Sequence, residues 1–458
     1  MSYNSKKRNG SFKRRNGGDY YFPNKRPHHH HQPTAATSRY NNQVRPPATP
    51  EPAAPAAAEV AASAGVAAAR QSRFQPHRVL PKAPRQVSRY NNGNLPAAPP
   101  AGPASLRVPA TIITHTHSVE SSYQRITQVG EGTYGKVYKC RNIYTNKLVA
   151  LKKLRLETER DGFPITSIRE IKLLQHCQHE NVSTIAEIMC EAQKTVYMIF
   201  EYADNDLSGL LMNKEIQFSD ANCKHLFRQL LKGMEYLHEC RILHRDIKGS
   251  NILIDNRGNL KITDFGLARK MKQEPDYTNR VITLWYRPPE LLLGTTRYGT
   301  EVDMWGCGCL LVELFLKTAF FQGTNELEQL RCIFQVLGSP TIEQWPALFD
   351  MPWWFMMIPQ QKEHYPNRFD EKVSSVLPTQ SCRDLARSLL LYDQKKRFSA
   401  SEALKSAYFY ELPRPEPLNL GDFDGCHEFE ARRQRRKERE ETKKAAAASA
   451  SSASKKSA

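Results

Sequence analysis

Long apolar runs, paired cysteines and a secretion signal are all missing from this 458-residue sequence. No stretch of about 18 apolar residues is free of charge, so a membrane span is not expected. The most apolar segment, residues 304–321, carries Glu313 and Lys317 and is predicted to be a buried helix. The basic N-terminus lacks a following apolar stretch, so no signal peptide is expected. Ten cysteines without a CxxC pair favour free thiols over a disulfide scaffold or a zinc site.

Acidic residues are scarce at the N-terminal end of the chain. Residues 1–120 hold 17 Lys and Arg against 4 Asp and Glu, and they carry most of the formal net charge of +19. Residues 46–69 are mostly Ala and Pro, which offer too little apolar surface to offset the entropy lost on ordering. Residues 1–120 are therefore predicted to be a disordered, basic, low-complexity tail.

Two features of this tail indicate possible partners. The pentapeptide Ser-Arg-Tyr-Asn-Asn occurs twice, at residues 38–42 and 88–92, and Arg beside Tyr suits stacking on RNA bases and contact with phosphates. The alternative is a tail that only keeps the chain soluble. The basic clusters at residues 6–8 and 13–15 resemble a nuclear import signal, so nuclear localisation is expected.

The middle of the chain changes from strand-like to helix-like patterns. One helical pattern, at residues 165–175, interrupts the early strand-like runs, and long helical periodicity follows them. Strands first and helices afterwards predict an α+β fold of two lobes, a small β-rich lobe with one main helix and a larger helical lobe. Residues 431–448 are rich in good helix formers and predict a solvated helix. The strand-like runs are residues 124–128, 136–141, 148–154 and 195–201.

A glycine-rich run at residues 130–137, Gly-Glu-Gly-Thr-Tyr-Gly-Lys-Val, lies between two strand-like segments. Dinucleotide-binding turns share its three glycines but lead into a helix, whereas a hairpin is predicted here. Glycines allow backbone N–H groups to approach phosphate oxygens closely. Lys152 ends an apolar strand nearby, and Glu170 lies near the buried stripe of the predicted helix. Because a buried carboxylate needs a cation, Lys152 is the candidate partner of Glu170.

Three motifs further along carry the strongest signal. They are His-Arg-Asp-Ile-Lys-Gly-Ser-Asn at residues 244–251, Thr-Asp-Phe-Gly at 263–266 and Pro-Pro-Glu at 288–290. This set, in this order, is the signature of protein kinases. Residues 123–409 accordingly resemble a eukaryotic protein kinase. A kinase domain at residues 121–411 and a C-terminal extension at 412–458 are predicted.

The resemblance implies phosphoryl transfer from ATP with Mg²⁺, in which positioning and charge neutralisation supply most of the catalysis. The chain retains each polar residue of the motifs, so an active enzyme is expected rather than a pseudokinase. The implied roles are Asp246 for the proton of the substrate hydroxyl, Lys248 for charge on the moving phosphoryl group, Asn251 and Asp264 for Mg²⁺, and Lys152, fixed by Glu170, for the nucleotide phosphates.

The resemblance also implies a nucleotide site between the glycine-rich run and the hinge. Phe200 matches the gatekeeper, and the backbone of Glu201 and Ala203 would hydrogen-bond adenine. Two positions match inhibitory phosphorylation sites of some relatives, Thr133 and Tyr134. The implied nucleotide-binding residues are Val129, Gly130, Glu131, Gly132, Thr133, Tyr134, Gly135, Lys136, Val137, Ala150, Lys152, Phe200, Glu201 and Ala203.

Residues 164–170, Pro-Ile-Thr-Ser-Ile-Arg-Glu, resemble the helix that cyclins push inward in cyclin-dependent kinases. A cyclin-like partner is therefore implied around residues 163–174, the alternative being a helix sufficient by itself. Thr278 matches the family's activating phosphothreonine, which implies an activating kinase. A phosphate needs clustered cations, and Arg169, Arg245 and Arg269 match the arginines that supply them.

The segment after Thr278 resembles the family's floor for the residue that follows the target hydroxyl. The pocket residues implied are Val281, Ile282 and Arg287. This pocket favours proline, which has no N–H to leave unsatisfied. The expected substrates are therefore Ser-Pro or Thr-Pro sites.

Cys426-His427-Glu428 and the basic residues 432–437 resemble the C-terminal extension of the transcription-elongation branch of cyclin-dependent kinases. In that branch the element folds toward the nucleotide, so His427 is expected to contact it, although Gly425 stands where Asp is usual. The fungal members imply the heptad repeats of the RNA polymerase II C-terminal domain as substrate, with a cyclin-like subunit and a third subunit as partners. The alternatives are a kinase of the positive-elongation-factor type and a catalytically silent RNA-tethering scaffold.

Overall fold

The computed structural model describes residues 112–116, 118–132, 135–154, 163–191, 195–358 and 364–456, with side chains described up to residue 444. Predictions for residues 1–111, among them the RNA contact and the nuclear import signal, lie outside the described residues. So do the predictions for Thr133 and Tyr134. In the described part of the chain, no helix is both long enough and apolar enough to span a bilayer.

The smaller lobe is built on a six-stranded sheet with the order β1-β5-β6-β4-β3-β2. Neighbouring strands are antiparallel except β1 and β5, which run parallel. The predicted strand-like runs fall within this sheet, except that the run at residues 195–201 begins one residue before its strand. Its strands are β1 (Ile112–Thr116), β2 (Tyr123–Gly132), β3 (Gly135–Asn142), β4 (Leu148–Leu154), β5 (Ile185–Glu191) and β6 (Val196–Glu201).

One helix, α1 (Ile165–His176), packs beside this sheet. Pro164 precedes it, where the missing proline N–H costs no helical hydrogen bond, and the Pro164 carbonyl accepts from the N–H of Ile168. Leu173 and Leu174 are buried with Glu170 on one face. The helix therefore turns a carboxylate inward, toward β4.

The predicted tail boundary at residue 120 is too late, because β1 lies inside the predicted tail. Residues 112–116 pair with Glu187–Glu191 of β5 through backbone hydrogen bonds. Ile112 and Ile113 remain 63% and 58% exposed, so side-chain burial does not drive this pairing. An edge strand can thus be held by its backbone while its apolar side chains stay exposed.

The larger lobe is mostly helical, as the sequence predicts, so the predicted α+β bilobal class is confirmed. Its central helix, α5, is buried along nearly its whole length and contains most of the predicted buried segment 304–321. Gly306 lets α5 lie against Ile247 of the catalytic loop, since a Cβ there would be 3.0 Å from the Ile247 Cβ. The helices are α2 (Leu207–Met212), α3 (Asp220–Glu239), α4 (Pro289–Leu292), α5 (Glu301–Leu316), α6 (Glu326–Leu337), α7 (Trp354–Met357), α8 (Phe369–Val373), α9 (Gln380–Leu389), α10 (Ala400–Leu404) and α11 (Glu428–Lys456).

Short strands on top of the helical lobe present the motif residues. Three of these strands form a sheet of order β10-β9-β7, and the other two form the pair β11-β8. Residues 244–251 run between β8 and β9, and Asp264 follows β10. These strands are β7 (Asn205–Asp206), β8 (Ile242–Leu243), β9 (Ile252–Ile254), β10 (Leu260–Ile262) and β11 (Arg269–Lys270).

Candidate active site

Lys152 lies between two carboxylates at the junction of the lobes. Its Nζ donates to Glu170 Oε1 at 2.7 Å and to Asp264 Oδ1 at 3.0 Å. Burial alone would lower the pKa of Lys152, but Asp264 and Glu170 outweigh it and raise that pKa above the ordinary value. Burial alone would raise the pKa of Asp264, but the Lys152 ammonium holds it below the usual range. The lysine is therefore a fixed positive charge, and Asp264 is an anion.

Asp246 is held by donors on both carboxylate oxygens. Its Oδ2 accepts from Lys248 Nζ at 2.7 Å and from Asn251 Nδ2 at 3.0 Å. Its Oδ1 accepts from the hydroxyl of Thr283 at 2.8 Å and from the Thr283 N–H at 3.2 Å. Lys248 Nζ also donates to the Thr283 hydroxyl at 3.1 Å. The catalytic loop and the activation segment are thus joined at the carboxylate predicted to orient the substrate hydroxyl.

A buried aspartate of α5 supports the catalytic loop, and sequence reasoning missed it. Asp303 accepts the backbone N–H groups of His244 at 2.9 Å and Arg245 at 2.7 Å. His238 Nε2 lies 3.1 Å from the same carboxylate. Burial alone would raise the pKa of Asp303, but the hydrogen bond and charge of His238, the charge of His244 and the Arg245 N–H hold that pKa below the usual range. Arg245 has φ +65°, and these two bonds help to hold the loop in that left-handed conformation.

The glycine-rich run forms the predicted hairpin between β2 and β3, in which Gly132 pairs with Gly135. A Cβ on Gly135 would lie 2.1 Å from the carbonyl oxygen of Lys153, so only glycine allows β3 to approach β4 here. Gly130 faces Val137, and Val129 is buried below it. The predicted residues Glu131 and Lys136 form an ion pair at 3.9 Å across the hairpin.

The predicted hinge begins in the last two residues of β6 and continues beyond it. Phe200 pairs with Ala150 across β6 and β4 and packs against the core. Glu201 ends the strand with its side chain exposed, and Ala203 lies two residues further on. The backbone of Glu201 and Ala203 therefore lies where the two lobes are joined, and its hydrogen bonding to adenine stays a prediction.

Tyr298 connects Thr278 of the activation segment to Arg245 of the catalytic loop. Tyr298 Oη donates to the carbonyl oxygen of Thr278 at 2.7 Å and accepts from Arg245 Nη1 at 2.9 Å. The Thr278 side chain is exposed. Arg269 lies in β11, which pairs with β8 just before the catalytic loop, and Arg169 is half-buried on α1. The Thr278 side chain is therefore accessible to a modifying enzyme, and a single tyrosine links the Thr278 backbone to the buried Arg245.

The predicted proline pocket contains a backbone outlier. Ile282 has φ +66°, which is costly for a β-branched residue. Arg287 explains how it is held, because Nε donates to the Val281 carbonyl at 2.8 Å and Nη2 to the Ile282 carbonyl at 3.0 Å. Arg287 Nη1 is itself held by Glu326 at 2.8 Å. The carbonyls at this site are thus already paired within the protein.

The C-terminal Cys-His-Glu element docks beside the hinge. The Cys426 N–H donates to Asn205 Oδ1 at 2.8 Å, and the Glu428 N–H donates to Asp206 Oδ2 at 2.8 Å. His427 is buried, with Nε2 3.3 Å from the hydroxyl of Tyr202 and Nδ1 3.4 Å from Asp206. The element therefore folds back onto the hinge, and α11 leaves from this point.

The glycine in place of the usual Asp has a local reason. Gly425 has φ +93°, and a Cβ on it would lie 2.4 Å from the carbonyl oxygen of Asp204. Gly425→Ala should therefore weaken docking of the element by about 1–3 kcal/mol. The measurement is hydrogen exchange at the Cys426 and Glu428 amides, which should become faster in the variant. Gly421→Ala is the control, since Gly421 has φ +59° but no atom within 4 Å of the added Cβ. Equal effects of the two substitutions would contradict the close-approach argument.

Asn251 and Asp264 suit a magnesium ion that also binds phosphates. Both hydrogen bonds of the Asn251 side chain to Asp246 are donated by Nδ2, which leaves Oδ1 for a cation. Carboxylate and amide oxygens are hard ligands of the kind that Mg²⁺ prefers, and Mg²⁺ commonly takes only one or two protein groups. Among the described residues, no group of three or more His, Cys, Asp or Glu side chains could hold a metal ion by itself.

Comparison with known proteins agrees with this geometry. The protein kinase domain model matches residues 123–409. The chain belongs to the protein kinase family and, within it, to the cyclin-dependent kinases, which are Ser/Thr kinases that use ATP and Mg²⁺. The predicted family is thereby confirmed.

Individual relatives are more specific. The chain is 65% identical to the CTD kinase subunit alpha of Saccharomyces cerevisiae over 372 residues, which cover 77% of this chain and 70% of that protein. It is 46% identical to the Schizosaccharomyces pombe protein of the same name over 342 residues, 74% of this chain and 56% of that protein. It is also similar to a crystal structure of the yeast RNA Pol II CTD kinase CTDK-1 complex, with 70% identity, a TM-score of 0.64, and coverage of 68% of this chain and 100% of that chain.

Proposed function

We propose that this chain is the catalytic subunit of a cyclin-dependent, proline-directed Ser/Thr kinase that phosphorylates Ser-Pro sites in the heptad repeats of the RNA polymerase II C-terminal domain. The observation that carries the proposal is the junction of Asp246, Lys248 and Thr283 beside a pocket whose backbone carbonyls are paired to Arg287. The names of the yeast relatives support the substrate class. Action in the nucleus during transcription elongation and linked mRNA processing follows from that substrate.

The residues around Asp246 account for the chemistry proposed. Asp246 orients the incoming seryl hydroxyl and accepts its proton, and Lys248 offsets negative charge beside it. Lys152, held by Glu170, positions the phosphates, and Asn251 with Asp264 would hold the metal. Bound Mg²⁺ would neutralise phosphate charge. A catalytically silent scaffold is disfavoured, because such a chain has no need of this complete and connected set.

Regulation is proposed at two surfaces. Ile165 and Ile168 on α1 are 70% and 40% exposed, and two exposed isoleucines on the helix that carries Glu170 suit a cyclin-like partner. Phosphorylation of Thr278 by an activating kinase would bring the phosphate near Arg245, with Arg169 and Arg269 as its further partners. A third subunit is proposed from the resemblance to the fungal complexes. A kinase of the positive-elongation-factor type remains the second candidate for the branch.

The proline pocket predicts a strong dependence on the residue after the target serine. Any residue except proline brings an N–H into the pocket, where the Ile282 carbonyl already accepts from Arg287. An unsatisfied buried N–H costs about 1–3 kcal/mol. Changing Ser-Pro to Ser-Ala in a heptad peptide should therefore lower kcat/KM by roughly 10- to 100-fold. The measurement is steady-state turnover by the cyclin complex.

A substrate with N-methylalanine after serine supplies the matched control. It lacks the N–H, as proline does, and should recover most of the lost turnover. If it is as poor a substrate as the alanine peptide, the pocket selects proline for a reason other than the missing N–H. Mapping the phosphorylated serines on a peptide array of full repeats tests the proposed function as a whole.

A further inference from the structure

Strand β1 is an addition to the kinase fold. The protein kinase domain model begins at residue 123, whereas β1 (Ile112–Thr116) lies before it and pairs with β5. The strand forms one edge of the six-stranded sheet. Nothing in the proposed reaction uses it, so its exposed side chains are available for another role.

The edge that β1 presents lacks the usual protection against contact with another chain. Edge strands are commonly guarded by lysine, by proline or by a bulge. The sequence of β1, Ile-Ile-Thr-His-Thr, contains neither lysine nor proline, and its pairing with β5 has no register shift. Both isoleucines are more than half exposed. An apolar, unguarded edge of this kind favours coverage by a partner protein.

The register of β1 places its two isoleucines on opposite faces of the sheet. Paired residues of parallel strands point to the same face, and successive residues along a strand alternate. Ile113 pairs with Ile188 of β5. Ile188 packs in one hydrophobic core with Leu173 and Leu174 of α1. Ile113 therefore lies on the face of the sheet that α1 covers.

Ile112 lies on the other face, where β1 is anchored. It pairs with Glu187, and Glu187 Oε2 accepts a hydrogen bond from the hydroxyl of Tyr123 at 2.7 Å. The hydroxyl of Thr114 donates to the same carboxylate. Tyr123 belongs to a second, smaller hydrophobic core on this face. The strand is thus held from one side of the sheet and exposes Ile113 on the other.

Ile113 continues the surface proposed for a cyclin-like partner. That surface contains Ile165 and Ile168, which are exposed on α1. Because α1 packs against β5 and β5 is the direct neighbour of β1, a subunit that covers α1 lies close to the sheet edge. A standard interface buries about 800 Å² on each partner, which is far more than two isoleucine side chains supply.

We propose that Ile113 of β1 binds the same cyclin-like subunit as α1, so that the interface includes a strand outside the kinase domain. The inference rests on the proposed function, from which the cyclin-like partner comes. An apolar side chain on a fixed strand binds at a low cost in entropy. His115 is exposed on the same face as Ile113 and supplies a polar contact at the rim of the interface.

The test measures the affinity of the full chain for a cyclin subunit by isothermal titration calorimetry. The probe is the recombinant cyclin subunit of the same organism that activates the wild-type chain on heptad peptides. Ile113→Thr keeps the β-branched shape that suits a strand, but it replaces a buried apolar group by a hydroxyl. The dissociation constant of this variant should be about tenfold higher than that of the wild type.

Ile112→Thr is the matched control, because it makes the same change at a similarly exposed residue on the opposite face of the strand. Its dissociation constant should stay close to the wild-type value. Equal affinities of the wild type and Ile113→Thr overturn the proposal. Equal losses in the two variants also overturn it, since they would mean that the substitutions weaken the strand. Self-association of the kinase chain that Ile113→Thr abolishes, with cyclin affinity unchanged, would assign the surface to a second copy instead.

Failure of the proposed function gives a different result. Ile168→Thr tests the cyclin surface on α1 itself. If Ile168→Thr weakens cyclin binding and Ile113→Thr does not, the proposed function stands and only the inference about β1 is wrong. If no cyclin subunit of the organism binds or activates the wild-type chain, cyclin dependence fails, and the inference fails with it.

Discussion

Replacing Asp246 with Asn should lower kcat for heptad peptides by about 10³-fold while leaving KM for the peptide nearly unchanged. A positioned general base contributes roughly 10²- to 10⁴-fold to proton transfer, and an amide cannot take up the proton. The substitution also removes the charge that pairs with Lys248 at 2.7 Å. The measurement is radiolabelled phosphate transfer by the cyclin complex at saturating ATP.

Asp422→Asn is the matched control for this experiment. Asp422 is exposed, so the same isosteric change should have no effect on turnover. Thermal unfolding of both variants checks that the fold is kept, as expected for a change that preserves shape. Turnover of Asp246→Asn within threefold of the wild type would exclude Asp246 as the general base.

The fold was predictable because the strand-like and helix-like patterns along the chain all indicated the same two-lobed architecture. Period-two segments came first, one helical segment carried an inward Glu170, and long helical segments followed. The strand β4 has the bounds that its apolar run indicated. The strand β1 was missed because its pairing depends on backbone hydrogen bonds along β5, while Ile112 and Ile113 stay exposed. Composition alone assigned those residues to the tail.

The site was only partly predictable, because motifs identify the functional residues but not the residues that hold them in position. The residues that motif spacing singled out, Lys152 and Glu170, are indeed in contact. Asp303 was missed because it lies 59 residues from His244 in a helix that looks uniformly apolar. A buried aspartate inside such a helix is the signal that could have identified it, because an unpaired carboxylate there would be too costly.

The C-terminal element shows a second limit of motif reasoning. Its resemblance predicted that His427 faces the nucleotide, whereas the side chain in this structure contacts Tyr202 and Asp206 of the hinge region. Contact with a nucleotide stays a prediction. The residues that hold the element, Asn205 and Asp206, belong to a two-residue strand that no sequence periodicity could reveal.

Replacing Lys152 with Met should lower kcat/KM by about 10²- to 10³-fold, the range for loss of one charged group that stabilises the transition state. Lys153→Met is the control on the same strand. Its side chain points to the opposite face, where Nζ lies 6.0 Å from the ring centroid of Tyr197. Turnover of Lys153→Met should stay close to that of the wild type. Equal losses in the two variants would mean that strand β4, rather than the ammonium group, is what the reaction requires.

The Lys152 substitution should also destabilise the fold, and this effect can be separated from catalysis. Without the ammonium, Glu170 and Asp264 face each other with no cation between them, and breaking a buried pair typically costs about 3–5 kcal/mol. Lys152→Met combined with Glu170→Leu replaces the pair by apolar groups and should recover much of that stability in thermal unfolding. Turnover should stay as low as in Lys152→Met alone. If turnover returns with stability, the ion pair serves the fold and the phosphates are held by other residues.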